Sequence, residues 1–379
     1  MKIGIVVPFS WSFWGAVVEH AELQAQALEA RGHEVRLVMG NDPPGQFTRV
    51  LHPRVGRHGN PPPNVIPIGR SVIVPANGSL PNIILSPRAI LRIRRVLEHE
   101  RFDVLHLHEP MTPVTCISVL AMATAPIVAT HHASGDLGYM KLGIPAWGFL
   151  ASRIDVRIAV SEKARDSAHR WLPGEYEIVP NGVLIPRAID PAGREQTVTF
   201  AGRQETRKGL QVLLRAWPEI LRRTGARLQI CGSDPLAVRL LLTRLRISDE
   251  GIDILGFLPQ EELTALLGRT KALIAPSLGG ESFGMVLTRA FACALPVVAS
   301  DIPGYREVTT PETSVTVTPD DPAALADAVT GLLSDETRRV AMGHAARSLA
   351  IERYAWPDIA QRLECIYERA IDVSGRRAA

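Results

Sequence analysis

Two segments of the chain combine cations, a carboxylate and glycines in an order suited to a phosphorylated sugar. The first, Gly202-Arg203-Gln204-Glu205-Thr206-Arg207-Lys208-Gly209, sets three cations between an apolar run and a helical pattern. Arginine offers a planar fork and lysine a point charge, and beside helix-start amides the two suit a diphosphate. A solvated charged loop has the same composition. The second, Ala275-Pro276-Ser277-Leu278-Gly279-Gly280-Glu281-Ser282-Phe283-Gly284, pins Glu281 in a glycine-rich loop ahead of another helical pattern. Glu281 can accept from sugar hydroxyls there, while the amides of Ser282, Phe283 and Gly284 face a phosphate; a helix-capping carboxylate is the plainer alternative. Gly15, at the start of the first helical pattern, is a weaker sign of an anion at a helix N-terminus. His131-His132 ends an apolar run in the first half, where an imidazole can hydrogen-bond a ligand. No cluster of histidine, cysteine or acidic residues has ligand spacing and no Asp-x-Asp is present, so no metal site is expected.

The elements that must hold these clusters read as short β-branched runs separated by helix-length segments. The first forty residues give a strand (Lys2–Val7), a helix (Ala16–Ala30) and a strand (Glu34–Met39), a βαβ opening. Further runs at Asp103–His108, Pro126–His131, Val156–Ser161 and Glu177–Pro180 look buried on both faces, which implies a parallel sheet. Asn41 to Pro87, with Pro61-Pro62-Pro63, shows no periodicity and reads as a long loop region. A turn-rich stretch after Asn181-Gly182 reads as a linker, and a second alternation of strands and helices runs from Thr197 to Thr318. The expected domains are residues 1–185, residues 186–355, and a C-terminal helix in 356–379 crossing back to the first. In open parallel sheets ligands bind beyond the carboxyl ends of the strands, so two such domains favour a site in the cleft they face.

At 379 residues, 46% apolar and 21% charged, the chain has the composition of a folded globular protein. A net charge of +3 gives no reason to expect nucleic acid, and 37 of its 42 basic residues are arginine. Its four cysteines, Cys116, Cys231, Cys293 and Cys365, form no C-x-x-C pair and read as reduced thiols. The longest apolar stretch, Ile117 to Thr130, is broken by Pro126 and is shorter than the roughly 20 residues of a membrane-spanning helix. The run Ile3 to Val7 is short for a secretory signal, and a cytoplasmic protein is expected.

The order of several stretches resembles family 4 retaining glycosyltransferases of the GT-B fold, in particular phosphatidylinositol mannosyltransferases. These are His106-Leu-His-Glu-Pro110, Val128-Ala-Thr-His-His132, Ile158-Ala-Val-Ser161, Pro180-Asn-Gly-Val183, Gly202-Arg203 through Arg207-Lys208-Gly209, Pro276 to Gly284, and Pro296-Val-Val-Ala-Ser-Asp301. The likeness implies two doubly wound Rossmann-like domains, a GDP- or UDP-sugar donor on the second and a lipid or polyol acceptor on the first. It implies that Arg203 and Lys208 bind the donor diphosphate, that Glu281 holds sugar hydroxyls, and that His132 lies near the transferred sugar. Gly15, Ala16, Gly280, Ser282, Phe283, Gly284 and Arg289 would complete the donor site. Transfer would retain the anomeric configuration without a metal or other cofactor, the diphosphate oxygen assisting on one face.

Some positions depart from that pattern. Arg289 stands where the family has a second glutamate for the ribose, Ala16 replaces one of two glycines at the first helix, and Ala294 replaces the glycine that ends a later helix. A GT-B homologue that binds without turning over is the alternative reading of these changes. On the acceptor side Met111 and Leu137 stand where phosphatidylinositol enzymes have a polar residue and a lysine. Arg88, Arg92 and Arg95, with Arg94 adjacent, interleave with Ile90, Leu91, Ile93, Val96 and Leu97. Such a basic amphipathic helix suits an anionic membrane surface, at the inner face of the plasma membrane, although the outer face of a Rossmann helix looks similar.

Overall fold

The computed structural model describes residues 1–52, 60–74, 81–132, 146–187 and 189–378. They form two compact units, Met1–Gly182 with Trp356–Ala379, and Val183–Ala355.

The first unit contains β1 (Lys2–Ser10), α1 (Ala16–Glu29), β2 (Glu34–Gly40), α2 (Gln46–Leu51), β3 (Val65–Pro67), β4 (Val72–Ile73), β5 (Asn82–Ile83), α3 (Pro87–Glu100), β6 (Val104–His108), α4 (Thr115–Met122), β7 (Ile127–His131), α5 (Ala146–Ser152), β8 (Val156–Ala159), α6 (Glu162–His169) and β9 (Glu177–Ile178). Its sheet runs β3-β2-β1-β6-β7-β8-β9, every neighbour parallel. Strands β6 and β7 are buried at every residue, which is why their sequences show no alternation. The stretch from Asn41 to Pro87 is therefore not all loop: β3 extends the sheet beside β2, and β5 pairs antiparallel with the end of β1. These strands are two or three residues long, too short for any period to register.

The second unit contains β10 (Thr197–Ala201), a 3₁₀ turn (Thr206–Lys208), α7 (Leu210–Thr224), β11 (Arg227–Cys231), α8 (Pro235–Leu245), β12 (Ile252–Gly256), α9 (Gln260–Arg269), β13 (Ala272–Ala275), α10 (Met285–Ala292), β14 (Val297–Ser300), α11 (Pro303–Arg306), β15 (Ser314–Val317), α12 (Pro322–Ser334) and α13 (Glu336–Tyr354). Its parallel sheet has the order β12-β11-β10-β13-β14-β15. Helices α8, α12 and α13 start where a side chain can take a first free amide: Asp234, Asp321 and Asp335 each accept from the amide three residues on, and Pro235 and Pro322 fill first-turn positions that need no donor.

The last helix, α14 (Trp356–Ala378), belongs to the first unit. Ile359, Leu363, Ile366 and Ala370 fall on one face and join the core of β1, β2 and α1. Glu364 on its flank pairs with Arg31 and with His33 Nε2, the latter at 2.9 Å. His33 is thus a fastening point for this helix.

In both units the strand order reverses beside the first strand, between β1 and β6 and between β10 and β13. At such a switch point the loops leaving two adjacent strands diverge to opposite faces and open a crevice at the carboxyl ends. The clusters that the sequence singles out follow these strands: Gly15 after β1, His108 at the end of β6, Gly202–Lys208 after β10 and Pro276–Gly284 after β13.

Candidate functional site

In the second unit the loops after β10 and β13 are joined by charge and by backbone. Glu281 Oε1 takes Lys208 Nζ at 2.8 Å and Arg207 Nη1 at 2.7 Å; Arg207 Nη2 lies 2.8 Å from Glu205 Oε2, and Arg203 Nη2 lies 3.0 Å from Glu205 Oε1. The Leu278 amide donates to the Arg207 carbonyl at 2.7 Å, and Arg207 Nη1 donates to the Gly280 carbonyl at 3.2 Å. The carboxylates are the less exposed members, at 10% each against 36% for Arg203 and 19% for Lys208. Three cations thus stand over two carboxylates, an excess of positive charge at the mouth of a parallel sheet, which suits an anion. Lys208, Glu281 and Arg203 are the residues to which the sequence reading gives a role at the donor, with Arg207 counted there only as a third cation. Glu205 and Arg207 tie them into one network, a role that the dense charge alternation alone does not reveal.

Close backbone approach explains the glycines. Gly209, at φ 72, lies so near Pro276 that a Cβ there would be 1.7 Å from the Pro276 carbonyl oxygen. A Cβ on Gly304 would stand 2.0 Å from the Glu281 carbonyl oxygen, so α11 clamps the loop from its other side. Tyr305, next to it, hydrogen-bonds Ser277 Oγ at 2.8 Å; burial, helped by the Glu281 charge, pushes its phenol well up, so it remains protonated. Helix α10 begins at Met285, and Ser282, Phe283 and Gly284 form the turn before it. Gly284 is at φ 86, and the buried Phe283 ring packs edge-on against Tyr354, so only backbone of Phe283 is available to a ligand.

Arg289 lies half-buried in the last turn of α10. That helix ends in a Schellman turn, the Leu295 amide donating to Ala290 and the Ala294 amide to Phe291, both at 2.9 Å. Ala294 occupies the left-handed position at φ 53, which costs about 1 kcal/mol relative to glycine.

In the first unit the histidines converge. His108 Nδ1 lies 2.8 Å from His132 Nε2, and His106 is stacked on His108 at 4.7 Å while contacting Tyr367 OH and Thr130 Oγ1, each at 2.7 Å. Glu109 adopts φ 53 and its Oε1 accepts the backbone amide of His132 at 2.9 Å, so the Glu of the His106–Pro110 stretch fixes the start of the loop after β7. Burial holds the imidazoles uncharged: His132 is lowered to about 4, His106 and His131 to about 3, and His20 and His108 well below their ordinary range. His131 points elsewhere, its ring edge-on to Tyr176. His132 therefore offers a neutral hydrogen-bonding group and not a cation. His20, His108 and His132, far apart in sequence, each bring a ring nitrogen within 4.8 Å of the others.

Gly15 is extended at φ −165, with only Val18 within 4.0 Å of a built Cβ, and Ala16 starts α1 exposed. A methyl group at position 16 thus costs the fold nothing. Met111 is buried with Leu107, Cys116 and Leu120 and fills core. Leu137 lies outside the described residues. On α3 only Ala89 and Ile93 are buried; Arg88, Arg92, Arg94 and Arg95 are exposed together with Ile90 and Leu91, and Arg94 pairs with Glu98. Cys116, Cys231 and Cys293 are buried free thiols and Cys365 is exposed. Among the described residues no helix is long and apolar enough to cross a membrane.

Comparison with known proteins agrees with this geometry. Residues 17–185 match the model of Glycosyltransferase Family 4 and residues 195–335 that of Glycosyl transferases group 1. A phosphatidyl-myo-inositol mannosyltransferase of Mycobacterium leprae is 34% identical, over 97% of this chain and 96% of that protein. One from Mycobacterium tuberculosis is 32% identical, over 97% of each. Among solved structures, sucrose-phosphate synthase of Thermosynechococcus elongatus superposes with a TM-score of 0.74 at 19% identity, over 97% of this chain and 99% of that one. Anabaena HepE in complex with UDP and glucose does so with 0.72 at 18%, over 96% and 99%. The fold is GT-B, and the chain is a glycosyltransferase. It belongs to glycosyltransferase family 4, among relatives that include the phosphatidyl-myo-inositol mannosyltransferases.

Proposed function

We propose that the enzyme moves a hexose, mannose-like, from a GDP- or UDP-sugar to a lipid or polyol acceptor of the phosphatidylinositol kind, with retention and without a metal. The observation that carries the donor side is the cluster of Arg203, Arg207 and Lys208 over Glu205 and Glu281 at the carboxyl ends of β10 and β13. Arg203 and Lys208 take the diphosphate, and their charge stabilises it as it departs. Glu281 accepts from hydroxyls of the donor sugar, with Gly280 and the amides of Ser282 to Gly284 beside the phosphates. Arg289 would meet the nucleotide where relatives of this kind carry a carboxylate. The leaving diphosphate's own oxygen takes the acceptor proton on the same face, and neutral His132 hydrogen-bonds the sugar. The acceptor class rests on likeness to the mannosyltransferases over 97% of the chain.

The test is nucleotide release from a panel of GDP- and UDP-sugars with phosphatidylinositol and with free polyols. Arg203→Ala and Glu281→Ala should each lower kcat by about 100-fold or more. Release that is absent from the whole panel, or unaffected by both changes, overturns the reading.

The exposed arginines and apolar side chains of α3 support peripheral contact with an anionic membrane, the inner face of the plasma membrane being the natural one. Flotation with phosphatidylglycerol vesicles at low salt measures it. The triple change of Arg88, Arg92 and Arg95 to Glu should abolish recovery, and equal recovery of both proteins would count against membrane contact.

A further inference from the structure

Two neighbouring residues at the end of β6 grip one residue after β7, by its ring and by its backbone. His108 Nδ1 lies 2.8 Å from His132 Nε2, and Glu109 Oε1 accepts the His132 amide at 2.9 Å. The gripping ring is itself fixed. It is stacked on His106 at 4.7 Å with 14° between the planes, and His106 is locked by Gln24 Nε2 and Tyr367 OH on its Nδ1 and by Thr130 Oγ1 on its Nε2. His20 closes another side of His132, edge-on at 5.0 Å. With Nε2 taken up by His108, Nδ1 is the ring nitrogen of His132 left for a ligand.

A neutral imidazole carries one ring proton, so the contact between the two histidines can be made in two ways. If His132 donates from Nε2, the proton of His108 stands on its Nε2, which is buried without a partner among the described residues. A buried N–H is then left without an acceptor. If His108 donates from Nδ1, its Nε2 is only a bare lone pair, and His132 carries its proton on Nδ1. That proton finds a partner: the Asn181 side chain stands beside the His132 ring and favours protonation there, and Asn181 Oδ1 is buried with no other donor among the described residues. The orphaned N–H is the rarer defect in native interiors, and the second arrangement avoids it.

We propose that His108 is a positioning residue for the transfer: it donates from Nδ1 to His132 Nε2 and so holds His132 in the Nδ1–H form, a neutral donor for an oxygen of the transferred sugar. The inference rests on the placement of His132 beside that sugar under the proposed function. A neutral donor suits a sugar ring that gains positive charge as the diphosphate leaves, whereas an imidazolium would oppose that charge. It also gives the His106–Pro110 stretch a task, because His108 and Glu109 both act through His132. Both sit where β6 ends inside a packed core, so the grip is set before any ligand arrives.

Nuclear magnetic resonance of the full chain labelled with 15N-histidine reads the tautomers directly, since protonated and bare ring nitrogens resonate far apart. At pH 7 without donor, His108 and His132, each assigned by the signal lost on its replacement, should both carry the proton on Nδ1. His108→Phe keeps a ring in the core and removes the donor. It should return His132 to the Nε2–H form and lower kcat on the order of 100-fold, with donor KM within about threefold. His108→Asn, whose side-chain amide donates from the place of Nδ1, should restore the Nδ1–H form and most of kcat. Packing alone ranks the two variants the other way, because phenylalanine fills the buried site better than asparagine. A proton on Nε2 of His132 in the unaltered chain overturns the proposal, and so does a folded His108→Phe that matches His108→Asn in tautomer and kcat. Should His108→Phe not fold, the spectra of the unaltered chain decide; absence of turnover in that chain would count against the transfer reading, while the same spectra still score the tautomer.

Discussion

Acid should open the first unit while the second remains folded. Five buried histidines, His20, His106, His108, His131 and His132, are held uncharged there, chiefly by burial and then, in His20, His106, His108 and His131, by the neighbouring imidazoles. In the unfolded chain each takes its proton near pH 6.5; in the folded unit His132 waits until about 4 and His106 and His131 until about 3. Between those values the unfolded state binds more protons than the folded one, so stability rises with pH. The contribution is complete above pH 6.5 and is lost as pH falls through the window toward 3. Each histidine adds up to about 1.4 kcal/mol per pH unit of slope in that window, and several together make a large fraction of a domain's stability. The second unit has one histidine, the exposed His344, and lacks this liability. Hydrogen exchange followed by mass spectrometry, stepped from pH 7 to 4, should show β6, β7 and α1 losing protection before β10, β13 and α7. Simultaneous loss, or earlier loss in the second unit, would sink this account.

The contrast between the charged loops of the second unit and the histidines of the first explains why one part of the site was legible and another was not. Arg203, Lys208 and Glu281 could be singled out because each lies in a glycine-containing loop that follows a short apolar run, and the carboxyl end of a parallel strand is a place fixed by topology. The strands of the second unit are accordingly found within a residue or two of where their apolar runs stop. His131 and His132 sit at such an end as well, but adjacent residues leaving a strand face opposite sides. One turns to Tyr176 and the other to His108, a choice set by tertiary packing. The meeting of His20 with His108 and His132 depends on how α1 packs in the folded unit, and no local pattern encodes a contact 88 residues away. The same holds for β3: Val65–Pro67 is a strand only because Leu37, Val38 and Met39 bond to it. The pairing of Glu205 and Arg207 is not legible in the sequence for a different reason. A run of alternating charges looks the same whether solvated or knitted to a second loop, and only Glu281 and Gly280 across the crevice decide between these.

Replacing Gly209 by alanine should damage the second unit far more than the same change at Gly225, although the two glycines bound the same helix. Gly209 precedes α7 at φ 72 and Gly225 follows it at φ 61, so both are left-handed and an alanine at either carries a backbone cost of about 1 kcal/mol. The surroundings differ. No heavy atom lies within 4 Å of a Cβ at Gly225, whereas at Gly209 it would sit 1.7 Å from the Pro276 oxygen and 2.6 Å from the Pro276 carbon. Those are backbone atoms of the loop that carries Glu281, so the clash cannot be relieved by a rotamer. Either the loop after β13 moves or the cation turn at Thr206–Lys208 does, and the bonds from Lys208 and Arg207 to Glu281 and from Leu278 to Arg207 stretch with it. A loss of about 3–5 kcal/mol is expected for Gly209→Ala, against about 1 for Gly225→Ala. For a unit of this size that is a fall in melting temperature on the order of 10 °C against a few degrees, read by differential scanning calorimetry. Because the same two loops are proposed to hold the donor, calorimetric titration with GDP and UDP should show binding lost in Gly209→Ala and kept in Gly225→Ala. If the two variants melt together and bind alike, Pro276 and Gly209 are not in the contact described, and the close seating of the two loops is wrong.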